Sequence, residues 1–243
     1  MEVVESMASA SPGGGPPGSP RSGNDPAAPE RRTTPYQRSM PEQRLAERKG
    51  ILRKELLAAR ARQSVAERRA AGRALRDSVL GLPETGMAGA IAAYISVGTE
   101  PETTALVFAL WKRGSYVLLP ILQEDFDLDW ASYEGPDSLE PGPFGLLQPT
   151  EPRRGPGAIS SADLVILPAL AADRAGNRLG RGGGCYDRAL TRVGPSVPTV
   201  ALLYDDELLE EVPAGPLDQR IRAVAQPSRG ITRLPTRGIS EAP

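Results

Sequence analysis

Apolar residues along the 243-residue chain fall into three textures. The first forty or so positions, MEVVESMASASPGGGPPGSPRSGNDPAAPERRTTPYQRSM, carry almost no large apolar side chains. A stretch dominated by Gly, Pro and Ser buries too little surface to offset its ordering entropy, which predicts a disordered tail over residues 1–40. Alternatively, translation begins further in, at Met7 or Met40. The pattern then turns helical: Leu45, Leu52, Leu56 and Ala59 predict a helix over residues 42–62. A second helix opens at Ser64, where Ser-Val-Ala-Glu is a capping box in which hydroxyl and carboxylate satisfy each other's backbone donors. It runs through Ala71, Leu75 and Val79 and stops near Gly81-Leu82-Pro83.

Beyond Pro83 short apolar runs replace the helical period. Residues 88–97, 116–122, 164–170 and 199–204 predict buried strands, and 222–225 a last short edge strand. A helix is predicted from Thr99-Glu100-Pro101-Glu102 to Gly114, with its proline in the first turn, where the missing N–H is no loss. Another is predicted near 184–193, and a small hairpin excursion over 125–150. Buried strands alternating with helices define an α/β protein with a mainly parallel sheet flanked by helices. One domain is expected over residues 41–229, with a flexible C-terminal tail over 230–243.

Composition narrows the chemistry. A formal net charge of −1 argues against nucleic acid as a partner, since a phosphate-backbone binder carries a clear basic excess. The Arg- and Lys-rich segment 44–76 reads as a solvated helical surface. No apolar run approaches the ~18–20 residues needed to span a bilayer, and no basic segment followed by an apolar one opens the chain. The expected location is therefore cytoplasmic, and the lone Cys185 fits a reducing compartment. The absence of histidine removes Ser-His and Cys-His nucleophiles, histidine bases and most zinc sites. Chemistry here rests on carboxylates, cations, backbone amides and bound ions.

The densest stretch is residues 163–190, DLVILPALAADRAGNRLGRGGGCYDRAL. A buried strand leads to a loop, and Gly180-Arg181-Gly182-Gly183-Gly184 leads into a helix. Glycines let backbone N–H groups approach an anion without a Cβ in the way, and loops at strand carboxyl ends are where open α/β sheets bind ligands. Arg178 and Arg181 add cations suited to phosphate. Asp187 is placed either for a metal ion on that phosphate or for the helix dipole. The loop is neither a Walker sequence nor a dinucleotide fingerprint, so a tight strand-to-helix connection is the alternative.

The string Gly176-Asn-Arg-Leu-Gly-Arg-Gly-Gly-Gly-Cys-Tyr-Asp-Arg188 closely resembles the signature of the 5-formyltetrahydrofolate cyclo-ligase family. Lys49-Gly-Ile-Leu-Arg53 is similar to the family's N-terminal Lys-x-x-x-Arg element, and Tyr94-Ile-Ser-Val-Gly-Thr-Glu100 to its strand and loop carrying a substrate glutamate. Asp218 to Val224 falls where the family has its C-terminal aspartate-rich strand, so the resemblance spans about residues 44–226. It implies a Rossmann-like three-layer domain of the NagB/RpiA/CoA-transferase type. It also implies ATP-dependent conversion of 5-formyltetrahydrofolate to 5,10-methenyltetrahydrofolate, with Mg²⁺, by a monomer.

By that resemblance Lys49, Arg53, Arg178, Leu179, Gly180, Arg181, Gly182, Gly183, Gly184, Cys185 and Tyr186 bind ATP. Ile95 and Glu100 bind the folate, together with Arg181, Gly182 and Gly183; Arg181 and Asp187 are catalytic, and Asp187 binds Mg²⁺. Taken alone, the i, i+4 pair Lys49 and Arg53 is an ordinary charged helical face, and Glu100 a first-turn acid complementing a helix dipole. One position departs from the family: Arg222 aligns with an aspartate of the Mg²⁺-ligand type, and a guanidinium repels a metal. That departure raises the alternative of a catalytically weakened relative that binds folate or nucleotide.

Overall fold

The computed structural model describes residues 40–235; residues 1–39 of the expected N-terminal tail and residues 236–243 lie outside the described residues. In chain order the helices are α1 (Met40–Ala61), α2 (Val65–Leu80), α3 (Pro83–Met87), α4 (Thr104–Lys112) and α5 (Cys185–Leu190). The strands are β1 (Ala90–Ala92), β2 (Tyr116–Leu122), β3 (Leu128–Ser132), β4 (Leu139–Pro141), β5 (Leu147–Pro149) and β6 (Leu164–Pro168). They continue with β7 (Ala171–Asp173), β8 (Arg178–Leu179), β9 (Thr199–Leu202), β10 (Leu208–Leu209), β11 (Ala223–Gln226) and β12 (Gly230–Arg233).

The main sheet has seven strands in the order β12-β11-β9-β6-β1-β2-β3. Its five inner strands pair in parallel, and β3 and β12 close the two edges antiparallel. β6 shows why its apolar run needs no polar alternation. Leu164 and Ile166 point into the core under α2 and α4, with Leu75, Val79, Leu106 and Leu110. Val165 and Leu167 point to the opposite core, with Ile159, Ala189 and Leu190. Successive side chains of a strand face opposite ways, so a strand covered on both faces is apolar throughout. The result is the expected three layers.

The capping box forms as read: Ser64 N donates to Glu67 Oε2 at 2.7 Å, and Glu67 N donates to Ser64 Oγ at 3.2 Å. Helix α1 covers a smaller sheet, β10-β7-β8, through a cluster of Leu56, Leu170, Leu179 and Val212.

Several boundaries differ from the sequence reading. The 125–150 excursion splits, with β3 joining the main sheet and β4–β5 forming a separate ribbon. The strand expected at 222–225 is not at the edge: β12 pairs outside it, from Ala223 opposite Arg233 to Gln226 opposite Gly230. The expected flexible tail from 230 therefore begins as a strand, its turn allowed by Gly230 at φ +65°. Helix α4 starts at Thr104 rather than Thr99, which places Glu100 in a loop.

Candidate active site

Loops leaving β1, β6 and β9 converge at the carboxyl ends of the parallel strands. Tyr204, just past β9, donates its hydroxyl to Thr99 O at 3.2 Å, and Arg60 of α1 donates to Ala169 O, just past β6, at 2.6 Å. The loop after β1 is closed by Ser96 and Thr103. Ser96 N donates to Thr103 Oγ1 at 2.8 Å, Thr103 N donates to Ser96 Oγ at 3.2 Å, and Thr103 Oγ1 donates to Tyr94 O at 2.7 Å. Within it Glu100 is buried, with Val97 N donating to Oε2 at 2.9 Å. This explains why the acid is not a helix-dipole residue: its carboxylate organises the loop and faces the glycine run.

The glycine run supplies the partner. Arg181 Nε donates to Glu100 Oε1 at 3.0 Å, while the Arg181 side chain stays 48% exposed and free to meet a ligand. Gly182 (φ +113°) and Gly184 (φ +69°) take left-handed conformations that side chains resist. On the α1 side, Arg53 Nε donates to Gly180 O at 2.8 Å, and a Cβ built on Gly182 would stand 3.5 Å from Arg53 Cζ. Lys49 Nζ, one turn earlier, lies 2.7 Å from Asp218 Oδ1. Gly183 has the Cys185 sulfur 3.1 Å and the Phe126 ring 3.3 Å from the place a Cβ would take.

Three of the residues read as ligand contacts are turned inward. Arg178 is buried, donating to Asp187 Oδ1 at 2.8 Å and to Gln219 O. Burial pushes its pKa down, against the charge of Asp187. Leu179 is 1% exposed within the α1 cluster, so only its backbone can face a nucleotide. Ile95 is buried among the core residues beside Tyr94. The Tyr94 and Tyr186 phenols are both pushed up by burial and by the nearby Glu100 charge, so both stay protonated at neutral pH. Burial also pushes the Cys185 thiol up, which makes it a poor nucleophile and suits a wall-filling role.

For a cation, the donor set is thin. Among the described residues no group of three or more His, Cys, Asp or Glu could hold a metal ion. Asp187 Oδ1 is taken by Arg178 and by Gln219 N at 2.9 Å, whereas Oδ2 makes no hydrogen bond among the described residues. One open carboxylate oxygen fits a magnesium ion held mainly by nucleotide phosphates and water. Arg222 lies elsewhere. Its N–H donates to Thr199 O, at the start of β9, and its side chain lines a cleft with Leu164, the first residue of β6. It therefore stands at the opposite end of the sheet, and the expectation that it would oppose a metal at the glycine loop is corrected. Asp218 meets Lys49, and Gln219 meets Arg178 and Asp187 on either side of the glycine run.

Buried parallel strands, a glycine loop beside cation-bearing elements and a facing carboxylate make up the candidate site of an α/β protein. The comparisons make this specific. Residues 45–227 match the 5-formyltetrahydrofolate cyclo-ligase family, and the chain belongs to it. The 5-formyltetrahydrofolate cyclo-ligase of Mycolicibacterium smegmatis is 40% identical over 191 residues, covering 76% of this chain and 97% of that one. That of Haemophilus influenzae is 30% identical, covering 67% of this chain and 88% of that one. The NMR structure of Aquifex aeolicus 5,10-methenyltetrahydrofolate synthetase superposes with a TM-score of 0.67 at 28% identity, covering 79% of this chain and 96% of that one. The family is one of ligases in folate and one-carbon metabolism. Among the described residues no helix is long and apolar enough to cross a membrane.

Sequence reasoning missed the partners that hold these groups. Arg60 falls on the helical face of Lys49 and Arg53, a readable signal, but nothing in the sequence marks Glu207 as its counter-ion. Gln219 enters through its backbone, which side-chain patterns do not reveal.

Proposed function

We infer that this chain catalyses ATP-dependent ring closure of 5-formyltetrahydrofolate to 5,10-methenyltetrahydrofolate, releasing ADP and phosphate. The observation that carries the reading is the Arg181–Glu100 pair across the glycine loop, with Arg53 on the loop's other side at Gly180 O. Nucleotide and folate functions thereby meet at one backbone segment.

In this reading the γ-phosphoryl group passes to the formyl oxygen, and N10 attacks the activated carbon and loses its proton. The carbon–oxygen bond to phosphate then breaks. Such chemistry depends on positioning and charge neutralisation, which a chain without histidine can supply. Lys49, Arg53 and the amides of Gly182 to Gly184 hold the phosphates, and Arg181 neutralises the group in transit. Glu100 accepts hydrogen bonds from the pterin, and Ile95 packs beside it. Gly180, Cys185 and Tyr186 line the nucleotide side. Arg178 acts indirectly, by orienting Asp187. Magnesium held through Asp187 would screen the phosphate charge. Asp187→Asn is expected to lower turnover by roughly a hundredfold, the scale of losing one electrostatic stabiliser, with the magnesium requirement raised. A monomer acting on two small molecules in the cytoplasm completes the proposal; the lone, unpaired Cys185 fits the reducing compartment.

The direct test is to incubate the protein with MgATP and 5-formyltetrahydrofolate and follow the methenyl chromophore. Its ATP-dependent appearance supports the reading. Tight binding of both ligands without the chromophore would instead favour a non-catalytic folate- or nucleotide-binding relative.

A further inference from the structure

Resting on that reading of the site, the geometry points to Arg60 and Glu207 as a positioning pair that sets the nucleotide and folate sides in register with each other. Arg60 is 1% exposed and touches neither the glycine loop nor any open surface. Its Nε donates to Glu207 Oε1 at 2.6 Å and its Nη2 to Glu207 Oε2 at 2.7 Å. The same Nη2 reaches Ala169 O at 2.6 Å, which ties α1 to the carboxyl end of β6.

Two branches leave this pair. The first runs along α1. Arg53 and Lys49 precede Arg60 by seven and eleven positions, two and three turns, so all three cations share one helical face. The helix buries little apolar surface to fix its own rotation; Leu56 is its one buried apolar side chain among the described residues. The fork of Arg60 on Glu207 therefore sets where Arg53 meets Gly180 and where Lys49 meets Asp218. A bidentate guanidinium–carboxylate pair constrains orientation as well as distance, which a leucine in the same place would not.

The second branch runs to the folate side. Glu207 Oε2 also accepts from Tyr204 N at 2.8 Å, and the Arg60 guanidinium lies over the Tyr204 ring, 5.3 Å from its centroid. Tyr204 donates its hydroxyl to Thr99 O at 3.2 Å, and Thr99 is the residue before Glu100. A single buried pair thus fixes both the helix carrying the phosphate-binding cations and the loop carrying the pterin-binding acid. Neither residue meets a substrate; each acts through others.

The test is the double variant Arg60→Met/Glu207→Leu, since replacing a buried ion pair by apolar residues of similar size is often neutral for stability. Its melting temperature should stay close to wild type. Its Michaelis constants for ATP and for 5-formyltetrahydrofolate should both rise roughly tenfold, because sub-ångström misplacement of binding groups is costly. Tyr204→Phe, which cuts only the bond to Thr99, should raise the folate constant alone. Should the double variant fail to fold, Glu207→Gln and Tyr204→Phe decide the matter by the same two constants. Unchanged constants in a folded variant, beside normal wild-type turnover, overturn the positioning role and leave the function intact. Absence of wild-type turnover overturns the function and this role with it.

Discussion

Helices α1 and α2 are neighbours in sequence and opposites in construction. Helix α2 spans 16 residues and buries Ala71, Gly72, Leu75 and Val79 against the central sheet. Helix α1 spans 22 residues, yet among its described side chains only Leu56 and Arg60 are buried. Its attachments are polar: Lys49 to Asp218, Arg53 to Gly180 O and Arg60 to Glu207. Apolar burial stabilises without dictating one orientation, whereas hydrogen-bonded charges contribute little net stability and demand a geometry. One helix holds the fold together. The other is set by three cations, of which Arg53 meets the glycine loop at Gly180 O.

Breaking the comparison on the α2 side gives the largest stability effect. Leu75 is fully buried, so Leu75→Ala should cost about 2–5 kcal/mol in denaturant unfolding while leaving both Michaelis constants near wild type. A kinetic change as large as the stability change would show that α2 also shapes the site.

Alkali should reach the α1 side through Tyr204. Burial pushes the Tyr204 phenol up to about 12, with Arg60 opposing, against an ordinary value of about 10 in the unfolded chain. A group raised in the folded state contributes stability that is complete below the unfolded pKa and lost as pH rises through the folded one. Stability should therefore fall between about pH 10 and pH 12. Tyr94, Tyr133 and Tyr186 are raised as well, so Tyr204→Phe should remove only part of that slope. An unaltered alkaline limb in that variant would contradict the assignment.

The cap joining the two helices gives a smaller effect. Ser64→Ala removes one arm of the capping box and should cost about 1 kcal/mol in thermal unfolding, with kinetics unchanged.

The same contrast explains what was legible in the sequence. Burial writes itself into composition, so the apolar runs at β2, β6 and β9 and the period of α2 could be read directly. The apolar run at 88–97 is longer than its strand. Only Ala90–Ala92 is strand, because Tyr94 to Thr103 turn their hydrogen bonds inward to build the Glu100 loop. Pro101 fits a helix's first turn and a loop equally well, and the Ser96–Thr103 exchange that decides between them is invisible in a linear pattern. The site residues came from motif resemblance rather than periodicity, and the structure brings Arg53 and Glu100 to the glycine loop, with Lys49 held on Asp218 one turn away. Arg222 shows where alignment alone misleads. Its position in the string suggested the metal, but the chain passes Lys49 at Asp218 and Asp187 at Gln219, and enters β11 only after crossing to the other end of the sheet. Arg60 and Glu207, 147 positions apart, meet only in three dimensions.

The central claim is that α1 serves the nucleotide and the β1 loop serves the folate, on either side of one glycine run. Side-by-side steady-state titrations of Arg53→Ala and Glu100→Gln test it most directly. Arg53→Ala should alter stability by no more than a few tenths of a kcal/mol, raise the Michaelis constant for ATP roughly tenfold and leave that for 5-formyltetrahydrofolate near wild type. Glu100→Gln should do the reverse, weakening 5-formyltetrahydrofolate and sparing ATP. If each variant weakens both substrates equally, or if Arg53→Ala keeps wild-type ATP dependence, the division of the site between α1 and the β1 loop is wrong.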